Sequence, residues 1–222
     1  MTESSGWLRG VEGVLSGPDL TLTVERLAEW QLSDGMMPWY PGGHADPWNH
    51  VEALMALMLD GRKAEAEAGF AWLERLQHAD GSWHQYYLAG GEVEEAKFDA
   101  NCIAYVAAGL YHHWLLFEDR SFLDANWGML SGAVDFVRGL QTDRGEVFWA
   151  RKPDGTPFEF ALLTGSSSIT HSLRCAVAVA EVLGKERPEW VRSAQALGRV
   201  IRDEPEAFAP KHRWAMDWYY PV

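Results

Sequence analysis

The fold of this chain is decided by seven residues, Gln77-His78-Ala79-Asp80-Gly81-Ser82-Trp83, because the chain repeats their pattern. Gln31-Leu32-Ser33-Asp34-Gly35 begins 46 residues earlier, and the looser Gln141-Thr142-Asp143-Arg144-Gly145 begins 64 residues later. Tryptophan follows each turn, at Trp39, Trp83 and Trp149. Before each turn the sequence predicts an amphipathic helix, and after it an almost wholly apolar one. A repeated helix pair buries its apolar faces against neighbouring pairs, so the pattern predicts an all-α fold, an α/α toroid of helical hairpins.

The toroid is predicted to have an inner and an outer ring. A helix that is apolar on all sides is buried on all sides, which assigns the second helix of each pair to the inner ring. The inner helices are predicted at 47–59, 99–117 and 167–183, and the outer helices at 19–31, 63–77, 122–140 and 188–201, with short β pairings near 148–149 and 158–161. Four hairpins do not close a ring of six. We therefore expect residues 1–222 to form a single toroid domain that is incomplete here, either as the N-terminal part of a longer protein or as a half-ring completed by another copy in a homo-oligomer.

Composition narrows the class of partner. The chain has 222 residues, twelve of them tryptophan, and 19 basic against 32 acidic side chains give a net charge of −13. Such a surface repels nucleic acid and anionic membranes, whereas flat rings placed in turns suit a carbohydrate ligand. No transmembrane stretch or secretion signal is recognisable, and Cys102 and Cys175 lie in apolar helices as small buried thiols, which predicts a cytoplasmic protein.

The inner helices begin at comparable points, so their starts are expected to converge around one mouth. Asp46 and Asp99 then become two carboxylates on neighbouring helices, each followed by an amide at Asn49 or Asn101. Cleavage of a glycosidic bond needs such a pair: one acid protonates the leaving oxygen while the other, as carboxylate, activates water or attacks the anomeric carbon. Aspartate is also a preferred helix N-cap, and for either residue alone capping is the stronger interpretation.

The same mouth supplies the predicted sugar contacts. Aromatic rings can stack on sugar faces, and amide, imidazole and carboxylate groups can bind hydroxyls. The predicted substrate-binding residues are Trp39, Tyr40, His44, Trp48, Asn49, His50, Trp83, His84, Asn101, Trp149, Asp217 and Trp218. The string His44, Asp46, His50 and Glu52 resembles a metal site, but Glu52 falls on a different helix face from the others. We predict no metal and no cofactor.

Two segments carry family resemblances. The string at 77–83, with weaker copies at Gln31 and Gln141, resembles the repeats of the prenyltransferase and squalene–hopene cyclase superfamily over nearly the whole chain. This resemblance implies the toroid fold, which also looks like that of many glycoside hydrolases and polysaccharide lyases. The segment Gly42–Glu52 resembles the mycobacterial methylmannose polysaccharide hydrolases, which are cytoplasmic endo-acting α-mannosidases. That second resemblance implies hydrolysis of an α-linked, methylated mannose polysaccharide.

Two other functions remain open. A terpenoid cyclase or prenyltransferase could use aromatic rings to stabilise carbocations. However, the Asp-x-Asp-Asp and Asp-Asp-x-x-Asp motifs of the cyclases do not occur in the 222 residues, and no convincing zinc set of Asp, Cys and His is found. In a non-catalytic sugar-binding toroid, the two aspartates would only cap their helices. The preferred interpretation is a glycosidase.

Overall fold

The chain folds as an arc of α-helices in two layers. The structure, a computed structural model, describes residues 10–210. Its helices in chain order are α1 (Gly17–Trp30), α2 (Pro47–Leu59), α3 (Lys63–Leu76), α4 (Ala100–Ala104), α5 (Val106–Phe117), α6 (Arg120–Ala125), α7 (Trp127–Arg138), α8 (Leu163–Leu183) and α9 (Pro188–Asp203). The helices α2, α4–α5 and α8 pack side by side as the inner layer, and α1, α3, α6–α7 and α9 pack outside them. The fold is an α/α toroid, and the sequence prediction is confirmed.

Burial follows the patterning of each helix. Val51, Leu54 and Leu57 of α2 are fully buried, as are Val106 of α5 and Ala176 of α8. In the outer layer only one stripe is buried; α1, for example, buries Val24 alone. The core therefore lies between the two layers, and the starts of the inner helices lie at its edge.

Some predicted helix bounds are wrong. The predicted helix 99–117 is two segments joined at Tyr105. The predicted helix 122–140 begins earlier and breaks at Asn126, whose Nδ2 donates to the carbonyl of Phe122. The third inner helix starts a turn earlier than its serines predicted. Ser167 is not a cap, because it lies inside α8 and donates to the carbonyl of Leu163.

Two small antiparallel sheets lie beside the inner-helix starts. The strand β1 (Tyr86–Tyr87) pairs with β2 (Val93–Glu95), and β3 (Phe98–Asp99) pairs with β4 (Ala150–Arg151). In the second pair Asp99 lies opposite Ala150, and the amide of Ala100 donates to the carbonyl of Trp149 at 2.9 Å. This pairing fixes the long loop of the third repeat against the start of α4.

The glutamine of each repeated turn links neighbouring hairpins. Its Nε2 donates both to the carbonyl of the turn glycine and to a carbonyl of the next outer helix, at 2.8–3.1 Å in all three copies. For Gln77 these acceptors are Gly81 and Met129 of α7. The repeated turn is therefore structural.

The glycine of the turn permits this close approach. At Gly81 φ is +87°, and a Cβ there would lie 2.0 Å from the carbonyl oxygen of Gly132. Gly35 is similar, with φ +96° and a Cβ position 2.2 Å from the carbonyl oxygen of Ala68. Any other residue at these positions would adopt a strained left-handed backbone conformation, and its Cβ would collide with the next helix.

Candidate active site

Asp46 is held at the start of α2 by four donors. Its Oδ1 accepts from the amides of Trp48 (2.8 Å) and Asn49 (3.0 Å), which makes it the N-cap of the helix. Its Oδ2 accepts from Nδ2 of Asn49 (2.8 Å) and from the indole Nε1 of Trp39 (2.5 Å). In an ordinary N-cap, water can take the place of the two donors to Oδ2. Here Asn49 and Trp39 occupy both of these positions, so the protein fixes the orientation of the Asp46 carboxylate in addition to using it as a cap.

Asp99 occupies the corresponding position at the start of α4. Its Oδ1 accepts from the amides of Asn101 (3.0 Å) and Cys102 (3.3 Å). Burial raises the pKa of the Asp99 carboxyl, while hydrogen bonds from Cys102, Asn101 and Trp149 and the charge of Lys97 act in the opposite direction. A carboxyl group whose pKa is raised by burial is better suited to donate a proton than an exposed aspartate.

The two aspartates line one cavity of about 380 Å³. Four aromatic side chains form its wall, namely Trp39, Trp48, Tyr86 and Trp149. Leu162, the residue just before α8, adds to this wall. The residues lining this cavity also include Asn49, Gln85, Asn101, Cys102, Thr164 and Gly165. Seven predicted residues are thus placed together in the structure, namely Trp39, Asp46, Trp48, Asn49, Asp99, Asn101 and Trp149.

Gln85 is a cavity residue that the sequence reasoning missed. In each repeat the amide one residue after the motif glutamine donates to the carbonyl one residue after the motif glycine, which fixes the register of the three turns. In that register the fourth residue after the glycine is Trp39, Gln85 or Trp149. All three line the cavity. Counting from the glycine, rather than looking for the next tryptophan, would have found Gln85.

Trp83 is a corrected prediction. It lies two residues after the glycine, where the other repeats have the buried Met37 and Val147. Its side chain is fully buried, and its Nε1 donates to the carbonyl of Leu73 at 2.8 Å. Trp83 therefore fills the core and does not reach the cavity.

His50 is corrected for a similar reason. One helical turn separates it from Asp46, but it points into the layer between α2 and α3. Its Nδ1 accepts from the amide of Met37 (3.1 Å), which leaves the proton on Nε2 to donate to the carbonyl of Gly69 (3.0 Å). A fully buried imidazole with both nitrogens occupied is not available to a substrate.

Three further predicted contacts lie beside the cavity without lining it. His44 stacks on Tyr86 with ring centroids 4.2 Å apart, and its Nδ1 lies 2.6 Å from Oε2 of Glu94. Tyr40 is exposed, and its ring centroid lies 6.4 Å from that of His44. His84 stacks on Phe98 and hydrogen bonds the carbonyl of Ala96. Of the three, His44 packs against the cavity wall, through its contacts with Trp39 and Tyr86.

The remaining predictions concern the C-terminal segment and metals. Asp217 and Trp218 lie outside the described residues. Within residues 10–210, no three His, Cys, Asp or Glu side chains are placed to hold a metal ion. In that same range no helix combines the length and apolarity needed to cross a bilayer.

The buried imidazole of His50 makes stability depend on pH. Burial lowers its pKa to about 4, against an ordinary value of 6.5. Between these values the unfolded chain binds the proton and the folded chain does not, so the free energy of unfolding falls as pH drops from 6.5 to 4. Full linkage over this range is on the order of 3 kcal/mol.

Urea unfolding at intervals between pH 7 and pH 4 measures this loss. The difference between the wild type and His50→Gln isolates the contribution of His50, because other histidines titrate in both proteins. We expect the wild type to lose more stability than the variant over this interval. Parallel pH dependences of the two proteins would refute the assignment.

Comparison with known proteins agrees with the fold. No protein-family profile matches the chain. The chain is 46% identical over 213 residues to the MMP endo-(1,4)-3-O-methyl-α-D-mannosidase of Mycolicibacterium hassiacum, and the match covers 96% of this chain. It covers 59% of that mannosidase, so the chain spans little more than half the length of this relative.

Solved structures share the fold at low sequence identity. A family 105 glycoside hydrolase of C. acetobutylicum superposes with a TM-score of 0.63 at 11% identity, over 84% of this chain and 57% of that one. A D-mannose isomerase superposes with a TM-score of 0.56 at 12% identity, over 83% and 50%. The fold thus serves more than one reaction on sugars, and the reaction must be argued from the site.

Proposed function

We propose that this protein is a glycoside hydrolase that cleaves an α-linked mannose polysaccharide, methylated on some of its rings. The observation that carries the proposal is the cavity that Asp46 and Asp99 share at the starts of adjacent inner helices. The 46% identity to a methylmannosidase supports this reaction class and this substrate. Burial of the two thiols, Cys102 and Cys175, which are both free, supports action in the reducing cytoplasm.

Asp99 is assigned as the general acid. Its burial and raised pKa favour the protonated carboxyl, which donates its proton to the glycosidic oxygen as the bond to the anomeric carbon breaks. Lys97 and Trp149 stabilise the carboxylate that remains after this transfer, since both lower the pKa of Asp99. Water completes the reaction: its hydroxide bonds to the anomeric carbon, and its remaining proton restores the protonated carboxyl of Asp99.

Asp46 is assigned as the carboxylate that faces the developing positive charge. Two amides, Asn49 and Trp39 fix its oxygens before substrate arrives, so no reorganisation is needed as charge develops at the anomeric carbon. Different environments for two neighbouring carboxyls are the usual arrangement in glycosidases, because one must carry a proton and the other a charge.

The aromatic wall is assigned to substrate binding. Trp39 is 46% exposed, and Trp48 and Trp149 line the same cavity from α2 and from the third repeat. Indole faces bind the apolar faces of sugar rings, and O-methyl groups enlarge that apolar surface. A methylated polysaccharide therefore suits this wall better than an unmodified one.

Incubation of the purified protein with α-(1,4)-linked mannose oligosaccharides, with and without 3-O-methyl groups, tests the proposal. We expect shorter oligosaccharides from internal cleavage, resolved by chromatography and mass spectrometry, and faster cleavage of the methylated series. Binding without any product would favour the non-catalytic toroid. Turnover of a prenyl diphosphate instead of a sugar would favour the cyclase.

A further inference from the structure

The cavity is lined by two amide side chains whose oxygens have no hydrogen-bond partner in the part of the chain that the structure describes. Gln85 is 8% exposed and Asn101 is 5% exposed, and both line the cavity that holds Asp46 and Asp99. Among residues 10–210, no group donates a hydrogen bond to Oε1 of Gln85 or to Oδ1 of Asn101. Buried polar atoms without partners are rare in native proteins, since their desolvation is not offset. Two of them beside one cavity indicate a ligand that completes them.

Gln85 also differs from the tryptophans that occupy the same position, four residues after the turn glycine, in the other two repeats. At the equivalent positions Trp39 donates to Asp46, and Trp149 is hydrogen bonded to Asp99. Gln85 instead places its Nε2 at 3.8 Å from Sγ of Cys102 and hydrogen bonds with the side chain of Tyr86. The two tryptophans thus hydrogen bond to the carboxylates, whereas one end of the Gln85 amide has no hydrogen-bond partner within residues 10–210.

This unused end persists in either orientation of the Gln85 amide. If the amide were turned over, its oxygen would meet Cys102 and Tyr86, and its NH₂ group would be left without a partner. A sugar hydroxyl both donates and accepts, so it can pair with either end. The terminal torsions of glutamine and asparagine have broad minima, and a small rotation turns the free end toward a ligand.

We infer that Gln85 and Asn101 form a hydroxyl-binding pair that selects the sugar ring bound between Asp46 and Asp99. The inference rests on the proposed function and adds a requirement to it. The ring at the cleavage position presents free hydroxyls at the two positions that meet the amides. A methyl ether at either position cannot donate and occupies the space of the hydrogen bond. Methylated rings are therefore accepted only when their methyl groups face the aromatic wall.

The test measures binding of methyl α-D-mannopyranoside and its 2-, 3-, 4- and 6-deoxy derivatives by tryptophan fluorescence. For the wild type, we expect one deoxy sugar to lose about tenfold in affinity because it lacks the hydroxyl that meets Gln85. Gln85→Met should bind the parent sugar about tenfold more weakly and no longer distinguish that deoxy sugar. Asn101→Leu should remove the discrimination at a different hydroxyl.

Gln77→Met is the matched control, because both acceptors of Gln77 are backbone carbonyls, those of Gly81 and Met129, and neither residue lines the cavity. It should lower Tm and leave the ranking of the deoxy sugars unchanged. Gln85→Met should keep or raise Tm, since it replaces a buried amide whose oxygen has no partner within residues 10–210 with a side chain of similar shape. A structural role for Gln85 would lower its Tm as in the control.

Three results would overturn the inference: an unchanged deoxy-sugar ranking in Gln85→Met, a loss of Tm equal to that of the control, or no binding of any sugar by the wild type. The proposed function fails separately. If the wild type cleaves α-(1,4)-mannose oligosaccharides but the ranking is unchanged in the variant, only the hydroxyl-binding pair is wrong. If no cleavage occurs while the ranking depends on Gln85, the pair stands and the hydrolase assignment is wrong.

Discussion

Asp99→Asn should lower kcat for oligosaccharide hydrolysis by about 10³-fold, because a general acid contributes roughly 10²–10⁴ to such reactions. Asparagine caps a helix as well as aspartate does, and its oxygen can still accept from the amides of Asn101 and Cys102. The free energy of unfolding should therefore change by no more than about 1 kcal/mol. Rates measured at saturating substrate, together with urea unfolding, separate the two effects.

The pH dependence of the rate gives a second measurement on the same variant. In the wild type, activity should fall as pH rises through the raised pKa of Asp99, because only the protonated carboxyl donates. This limb of the profile should be absent in Asp99→Asn.

Asp119→Asn is the control for removing the charge of a capping aspartate outside the cavity, where Asp119 also forms an ion pair with Lys63. Asp119 caps the outer helix α6 by accepting from the amide of Phe122, and it does not line the cavity. Its replacement should leave kcat unchanged. If Asp99→Asn retains full activity, or if both variants lose activity equally, Asp99 is a structural cap and the acid assignment is wrong.

Trp83→Ala should destabilise the protein by about 4 kcal/mol, the usual cost of truncating a large aromatic side chain in a core. The Trp83 side chain is fully buried, and its removal would also take away one of the two donors to the carbonyl of Leu73, the other being the amide of Gln77. Urea unfolding followed by circular dichroism measures the loss.

Trp39→Ala is the matched comparison at the cavity. Because Trp39 is 46% exposed, its truncation should cost stability no more than about 1 kcal/mol, while weakening sugar binding. If Trp83→Ala unfolded at the wild-type urea concentration and bound sugar more weakly, Trp83 would belong to the binding surface after all.

The repeat of the turn was sufficient to predict the toroid. Gln77 and Gly81 are local signals with one structural meaning: a backbone-bridging amide and a left-handed glycine that lets the next helix approach. Apolar periodicity then separated inner from outer helices. The start of α8 was missed because serines resemble N-caps in sequence, whereas the helix begins at Leu163 without any side-chain cap.

Only those residues of the candidate site that lie at helix starts could be predicted from the sequence. Asp46 and Asp99 could be placed because a capping residue must lie at the end of its helix. The direction in which a side chain points could not be predicted in the same way. His50 and Trp83 were therefore assigned to the mouth, although their side chains point into the core. Thr164 joins the cavity through packing of α8 against α4, and such a contact between distant segments leaves no local pattern.

A crystal structure of the Asp99→Asn variant with an α-(1,4)-linked mannose oligosaccharide would show whether the two aspartates act on the sugar. We expect a sugar ring against Trp39 and Trp149, with its anomeric carbon between residues 46 and 99. A second, larger cavity of about 660 Å³ lies beside Asp80 and Arg151. Sugar bound there, with the cavity at the helix starts left empty, would show that Asp46 and Asp99 are not the catalytic pair.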